Sequence, residues 1–155
     1  MDWFVKAFIR ASLAWFALGI VLGLAIAAYP PWVAYRPAHA HMTVVGFLTM
    51  MVFGVGYQLL PRLFGHALHS RALAIAHWWL ANVGLAVMVV GFGLAPHLGP
   101  TRSAPVTATG GTMFALGALG FVYNLWRTFN AADARHRLSA SASSPHRPLP
   151  AADDR

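Results

Sequence analysis

Residues 36–80 read RPAHAHMTVVGFLTMMVFGVGYQLLPRLFGHALHSRALAIAHWWL, and their reading decides the fold. The run 40–60 carries no acidic or basic side chain other than His41, and a short turn with Pro61, Arg62, Gly65 and Arg71 separates it from the next apolar run. About 20 apolar residues suffice to carry a helix across roughly 30 Å of hydrocarbon. Two histidines, His39 and His41, stand at the mouth of the first run, and ionisable side chains at a membrane boundary are candidates for function.

Outward from this stretch, apolar segments fall at about 8–28, 40–60, 72–94 and 106–126. The breaks carry Pro30, Pro31 and Pro37, then Pro61 and Gly65, then Pro96, Gly99, Pro100 and Pro105, residues that do not continue a helix cheaply. Short connections make neighbouring segments antiparallel, so the expected architecture is all-α: an integral membrane four-helix up-down bundle over residues 1–130. Residues 131–155 are rich in Ser, Ala, Pro and Arg and are expected to form a disordered cytoplasmic tail. Lys6 and Arg10 ahead of an apolar run ending in Ala25-Ile26-Ala27 also fit a cleaved secretory signal. Against that, the run is long for a signal core, and Gly19 and Gly23 form a G-x-x-x-G step that lets another helix approach.

Composition removes several functions. The acids are Asp2, Asp133, Asp153 and Asp154, with no Glu, and none lies in a span, which argues against proton pumping through carboxylates. The absence of Cys excludes disulfides, iron–sulfur clusters, thiolate metal sites and covalent haem attachment. A redox centre would have to be held by His, Met or oxygen. Lys6, Arg10, Arg62, Arg71, Arg127, Arg135 and Arg137 fall on one side and only Arg36 and Arg102 on the other, so the positive-inside rule places both termini in the cytoplasm. The net charge of +7 therefore reports topology, and no nucleic-acid partner is expected. Trp3, Trp32, Trp79 and Trp126 fall near the expected interfaces. Phosphate loops, nucleophile elbows and H-E-x-x-H motifs are absent, and no inverted repeat or broken span points to transport.

The histidines divide by side. His39, His41 and His97 belong to the outer boundary, His66, His69 and His77 to the inner one, and His136 and His146 to the tail. The two boundary groups are roughly 25 Å apart, too far to share an ion. His39 and His41 point about 200° apart on a regular helix, so they do not form a helical chelating pair. His39, His41 and His97 are candidate ligands, and Arg36 and Arg102 are candidate partners for two carboxylates such as propionates. Met42, Met50 and Met51 offer soft sulfur that suits copper(I), though Met on such a helix commonly serves packing. Gly46, Gly54 and Gly56 admit either a neighbouring helix or a porphyrin face. His66, His69 and His77 read as solvated or interfacial, and Tyr57, Asn82, Tyr123 and Asn124 as interhelical hydrogen-bonding groups.

Arg36-Pro37-Ala38-His39, Gly46-Phe47, Gly54-Val55-Gly56-Tyr57 and Leu60-Pro61-Arg62-Leu63-Phe64-Gly65 resemble the second helix and following loop of subunit I of haem–copper oxidases. The likeness is nearest to cbb3-type oxidases and nitric oxide reductases. It continues through Ser70-Arg71-Ala72-Leu73-Ala74 and His77-Trp78-Trp79-Leu80 and covers about a third of the chain. The resemblance implies that His39 is an axial ligand of a low-spin b-type haem near the outer face. It also implies that the second axial ligand, the catalytic haem ligand and the copper ligands come from later helices that this sequence does not contain. A complete oxygen- or nitric oxide-reducing centre is therefore not expected here.

The leading expectation is a small haem protein of the bacterial inner membrane, engaged in electron transfer or haem handling in a respiratory or nitrogen-oxide context. A sixth ligand would come from His97, from His41, or from His39 of a second copy across a two-fold axis. The alternatives are a cofactor-free accessory or assembly subunit associated with a larger oxidase or reductase, and a copper-handling protein.

Overall fold

The computed structural model describes residues 1–143; residues 144–155 lie outside the described residues, and with them His146 and the last part of the expected tail. The chain forms an all-α membrane bundle whose four long helices are each long and apolar enough to cross a bilayer: α1 (Trp3–Ala28), α2 (Pro30–Leu63), α3 (Arg71–Leu98) and α4 (Pro100–Ser143). In hydrocarbon every backbone polar group must be satisfied internally, which makes uninterrupted helix the stable state of such segments.

All four helices outrun the apolar segments read from the sequence, and the prolines explain most of the difference. Pro30 and Pro31 open α2, and Pro100 opens α4, in first-turn positions where a missing N–H costs nothing. Pro61 and Pro96 sit in the last turns of α2 and α3. α4 runs on to Ser143, so residues 131–143 are helical where composition suggested a disordered tail. Ala131, Ala132, Ala134, Arg135, Arg137 and Leu138 are strong helix formers, and no proline follows until Pro145.

Turns between helices are tight. Tyr29 alone separates α1 from α2. Gly99 separates α3 from α4 at φ 82°, a left-handed conformation that glycine adopts without a Cβ clash. The turn from α2 to α3 passes through Gly65 at φ 61° and ends on Ser70, whose hydroxyl accepts from the Leu73 N–H at 3.2 Å as an N-cap.

α2 is not a uniform helix. It starts as a 3₁₀ turn at Pro30–Tyr35, passes through an α turn at Arg36–Ala40, widens to π-helix over His41–Thr49 and returns to α-helix at Met50–Leu63. Threonine hydroxyls serve the widened carbonyls: Thr49 donates to Val44 O at 3.1 Å, and Thr43 to His39 O at 3.0 Å.

Glycine makes the interfaces. In lipid there is no hydrophobic drive between helices, so association relies on close backbone approach and van der Waals contact. A Cβ at Gly84 would lie 2.6 Å from the Phe114 nitrogen, and one at Gly110 would meet the backbone of Met88, so α3 and α4 touch backbone to backbone. Gly46 makes room for Trp15, Gly54 for Phe8 and Ile9, and Gly56 for Phe121, all as helix packing. The core nearer the basic end is aromatic, built from Phe4, Phe8, Phe53 and Tyr57.

Candidate functional site

The end of the bundle where α1 gives way to α2 carries the first candidate site. His39 is half-buried and its Nδ1 lies 2.9 Å from the carbonyl oxygen of Gly19 on α1. A carbonyl only accepts, so Nδ1 carries the proton and donates, leaving the lone pair on Nε2. Hydrogen bonding from the distal nitrogen to a backbone carbonyl is how proteins orient ligating imidazoles. No hydrogen bond engages Nε2 among the described residues.

The G-x-x-x-G step explains how the ring reaches that carbonyl. A Cβ at Gly23 would lie 2.7 Å from His39 Cε1, and one at Gly19 would lie 2.7 Å from the Thr43 methyl. The two glycines open the face of α1 to α2 and leave Gly19 O accessible. Beside the ring is a cleft of about 310 Å³ lined by Gly23, Ile26, Ala27, Val33, Arg36 and His39. Its walls are aliphatic, with one cation and one imidazole at the rim.

Of the five residues singled out from sequence, His39 and Arg36 therefore meet at one cleft. The other three do not line it. His41 is directed elsewhere, as its spacing requires: Nδ1 pairs with Pro37 O at 2.7 Å and the ring lies 4.5 Å from that of Phe92 on α3. His97 Nε2 lies 2.9 Å from the Tyr35 hydroxyl, which ties the end of α3 to the start of α2. Arg102 is exposed in the first turn of α4. Among the described residues no three His, Cys, Asp or Glu side chains converge in a way that could hold a bare metal ion.

The opposite end brings together the basic residues assigned to one side. Asp2 pairs with Arg71 at 2.6 Å, and a pocket of about 410 Å³ there is bordered by Tyr57, Gln58, Arg62 and His66. Here His77 departs from the sequence reading. Instead of an interfacial position it occupies the core at 1% exposure, with Nδ1 3.1 Å from the Tyr57 hydroxyl. Its ring is enclosed by Phe8, Phe53 and Phe121, at centroid distances of 4.9, 4.5 and 5.6 Å, and Nε2 has no partner among the described residues. The signal was present in the sequence, because His77 shares a 3–4-residue rhythm with Ala74, Ala81, Gly84, Met88 and Gly91, the buried stripe of α3. Asn124 was also legible, and Thr128 joins it without a sequence signal of its own. The Asn124 side chain clasps both backbone groups of Ser70, accepting from N at 2.9 Å and donating to O at 2.7 Å, and the Thr128 hydroxyl accepts from the His69 N–H at 3.0 Å.

No family model matches the chain. Curated relatives are cytochrome c oxidase subunits. The cbb3-type cytochrome c oxidase subunit CcoN1 of Stutzerimonas stutzeri is 28% identical over 160 aligned positions, covering 83% of this chain and 33% of the relative. Cytochrome c oxidase subunit 1 of Rhodobacter capsulatus is 32% identical over 114 positions, covering 58% of this chain and 21% of the relative. Cytochrome c oxidase subunit 1 of Thermus thermophilus is 36% identical over 73 positions, covering 46% and 13%. The chain thus spans a third or less of the length of these relatives.

Proposed function

From a chain that is haem–copper oxidase subunit I-like, we propose a membrane protein that holds b-type haem through His39, near the outer face, for electron transfer or haem handling in a respiratory or nitrogen-oxide setting. The observation that carries this reading is the His39 Nδ1 to Gly19 O hydrogen bond beside an aliphatic cleft. It leaves the Nε2 lone pair available to hold iron and orients the ring.

A bound b-type haem would supply one-electron redox chemistry. The remaining work belongs to side chains of this protein. His39 would hold the iron through Nε2, and Gly19 O keeps its tautomer. Gly23 leaves room for the ring against α1. Ile26, Ala27 and Val33 provide an apolar wall, and Arg36 would hold a propionate through a charge-assisted hydrogen bond. Porphyrin brings four nitrogens of its own, so one well-oriented imidazole serves it better than it would serve copper, for which a converging set is wanted. A further ligand would come from outside the cleft, from a second copy or from a larger oxidase or reductase partner. The setting proposed is the bacterial inner membrane, in which the charge asymmetry favours both termini on the cytoplasmic side.

A reduced-minus-oxidised spectrum of the purified protein tests the proposal. A b-type signal that disappears in His39→Ala and persists in His41→Ala supports it. A protein without haem, co-purifying with a larger oxidase, would instead favour the cofactor-free accessory role.

A further inference from the structure

A second groove lies at the basic end, on the face where α1 meets α3. It has a volume of about 510 Å³. Ala7, Ala11 and Ala14 form its floor along roughly 10 Å of α1, since methyl side chains at this spacing leave a trough between bulkier neighbours. Trp3 and Trp78 close one end, edge to face at 5.9 Å between ring centroids. Lys6 and Arg10, four residues apart, stand on the rim, and both are exposed.

Among the described residues no acid pairs with either cation. Among the described residues the acids are Asp2 and Asp133; Asp2 is engaged by Arg71, and Asp133 lies in a different cleft beside Asn130 and Arg137. In the neighbouring pocket the cations are already occupied, Arg71 by Asp2 and Arg62 by the Gln58 side chain at 2.9 Å once its amide is oriented to accept.

We propose that this groove binds an anionic phospholipid from the leaflet at the basic end of the bundle. The phosphate sits between Lys6 and Arg10, and one acyl chain lies along Ala7, Ala11 and Ala14. Both halves of the groove are needed to choose this occupant. Two cations that no described acid pairs with select a negative headgroup over a zwitterionic one, and a methyl-lined trough leading from them into the hydrocarbon has no use for free phosphate. The Trp3–Trp78 pair sits at headgroup depth, where amphipathic rings are favoured.

Native mass spectrometry of the full chain, extracted in mild detergent and titrated with phosphatidylglycerol or phosphatidylcholine, tests the assignment. One retained phosphatidylglycerol is expected, with affinity falling roughly fivefold for each of Lys6→Gln and Arg10→Gln, the worth of a juxtamembrane cation. Arg127→Gln, a cation at the same end but outside the groove, should leave it unchanged. Ala14→Phe, at an exposed position, should block the trough and abolish retention while thermal unfolding in detergent stays as in the parent protein. Equal retention of the two lipids, or Lys6→Gln and Arg10→Gln behaving like Arg127→Gln, would overturn the proposal. So would displacement of the lipid by millimolar inorganic phosphate, which would make the site one for the free anion.

Discussion

His39 Nδ1 lies 2.9 Å from Gly19 O, so one carbonyl of α1 sets the tautomer of an imidazole twenty residues away on α2. The bond exists only because Gly23, one turn beyond Gly19, presents no side chain to the ring. A methyl group there would come within 2.7 Å of His39 Cε1 and 3.1 Å of Nδ1.

Gly23→Ala should therefore displace the imidazole without removing it. The expected outcome is a protein that still inserts and folds but loses most of its b-type absorbance, matching His39→Ala despite keeping the histidine. Gly93→Ala is the control, because nothing lies within 4 Å of a Cβ there. Alanine in place of glycine inside a helix should stabilise it by about 0.5–1 kcal/mol and leave the spectrum alone. Full haem occupancy in Gly23→Ala would show that the cleft does not depend on this contact.

This cleft was only half legible beforehand. Hydropathy and proline positions mark four spans, and the 200° divergence of His39 and His41 follows from helix geometry alone. Yet which face of α2 meets α1 depends on the π-helical stretch His41–Thr49, whose extra width shifts every later side chain around the axis. Nothing in the residue pattern announces that widening. For His97 and Arg102 the end of the bundle was readable but the partner was not: Tyr35 takes His97, and a tyrosine on a 3₁₀ turn has no periodicity to reveal it. His77 is the opposite case, since its place on the Ala/Gly stripe of α3 was visible and was outweighed by the adjacent Trp78-Trp79 pair.

The Tyr57–His77 pair should behave as a coupled unit. Tyr57→Phe keeps the ring that packs on Phe4 and Phe121 but leaves both imidazole nitrogens unpaired in the core. The expected cost is about 1–3 kcal/mol, the penalty of an unsatisfied buried polar group. His77→Leu removes the polar ring itself and should cost less in the Tyr57→Phe background than in the parent protein. Denaturant titration in mixed micelles of the two single variants and the double variant gives the coupling, and strict additivity would mean that the 3.1 Å contact carries no energy.

Asn124 should be the most sensitive polar position on α4. Fully buried, its amide holds the backbone N–H and C=O of Ser70 and thereby fixes the N-cap of α3 against α4. Asn124→Leu preserves approximate volume but strands the Ser70 N–H and leaves the Ser70 carbonyl only its 3.4 Å bond from the Ala74 N–H, an expected loss of about 1–3 kcal/mol. Asp2→Asn breaks the exposed Asp2–Arg71 pair and should cost no more than about 1 kcal/mol, since such pairs are screened by solvent. Thermal unfolding in detergent should rank the two variants in that order, and a larger effect for Asp2→Asn would mean that the ion pair, rather than the amide clasp, secures this end.

The seam between α3 and α4 gives the sharpest steric test. Gly84 and Gly110 bring the two backbones together, and at Gly91 an added Cβ would collide with the Thr107 hydroxyl and its backbone nitrogen. Backbone atoms cannot swing aside as a side chain can, so the helices must separate to admit a methyl group. That separation forfeits the contacts that hold membrane helices together and should cost about 1–3 kcal/mol for Gly110→Ala, rising with Gly110→Val. Gly111→Ala makes the comparison local, because its only near neighbour is the Met88 sulfur at 3.7 Å, an ordinary contact at the end of a flexible side chain. If Gly110→Ala and Gly111→Ala unfold at the same temperature, the seam is looser than the backbone approach requires, and the bundle must draw its cohesion from the aromatic core around Phe53 instead.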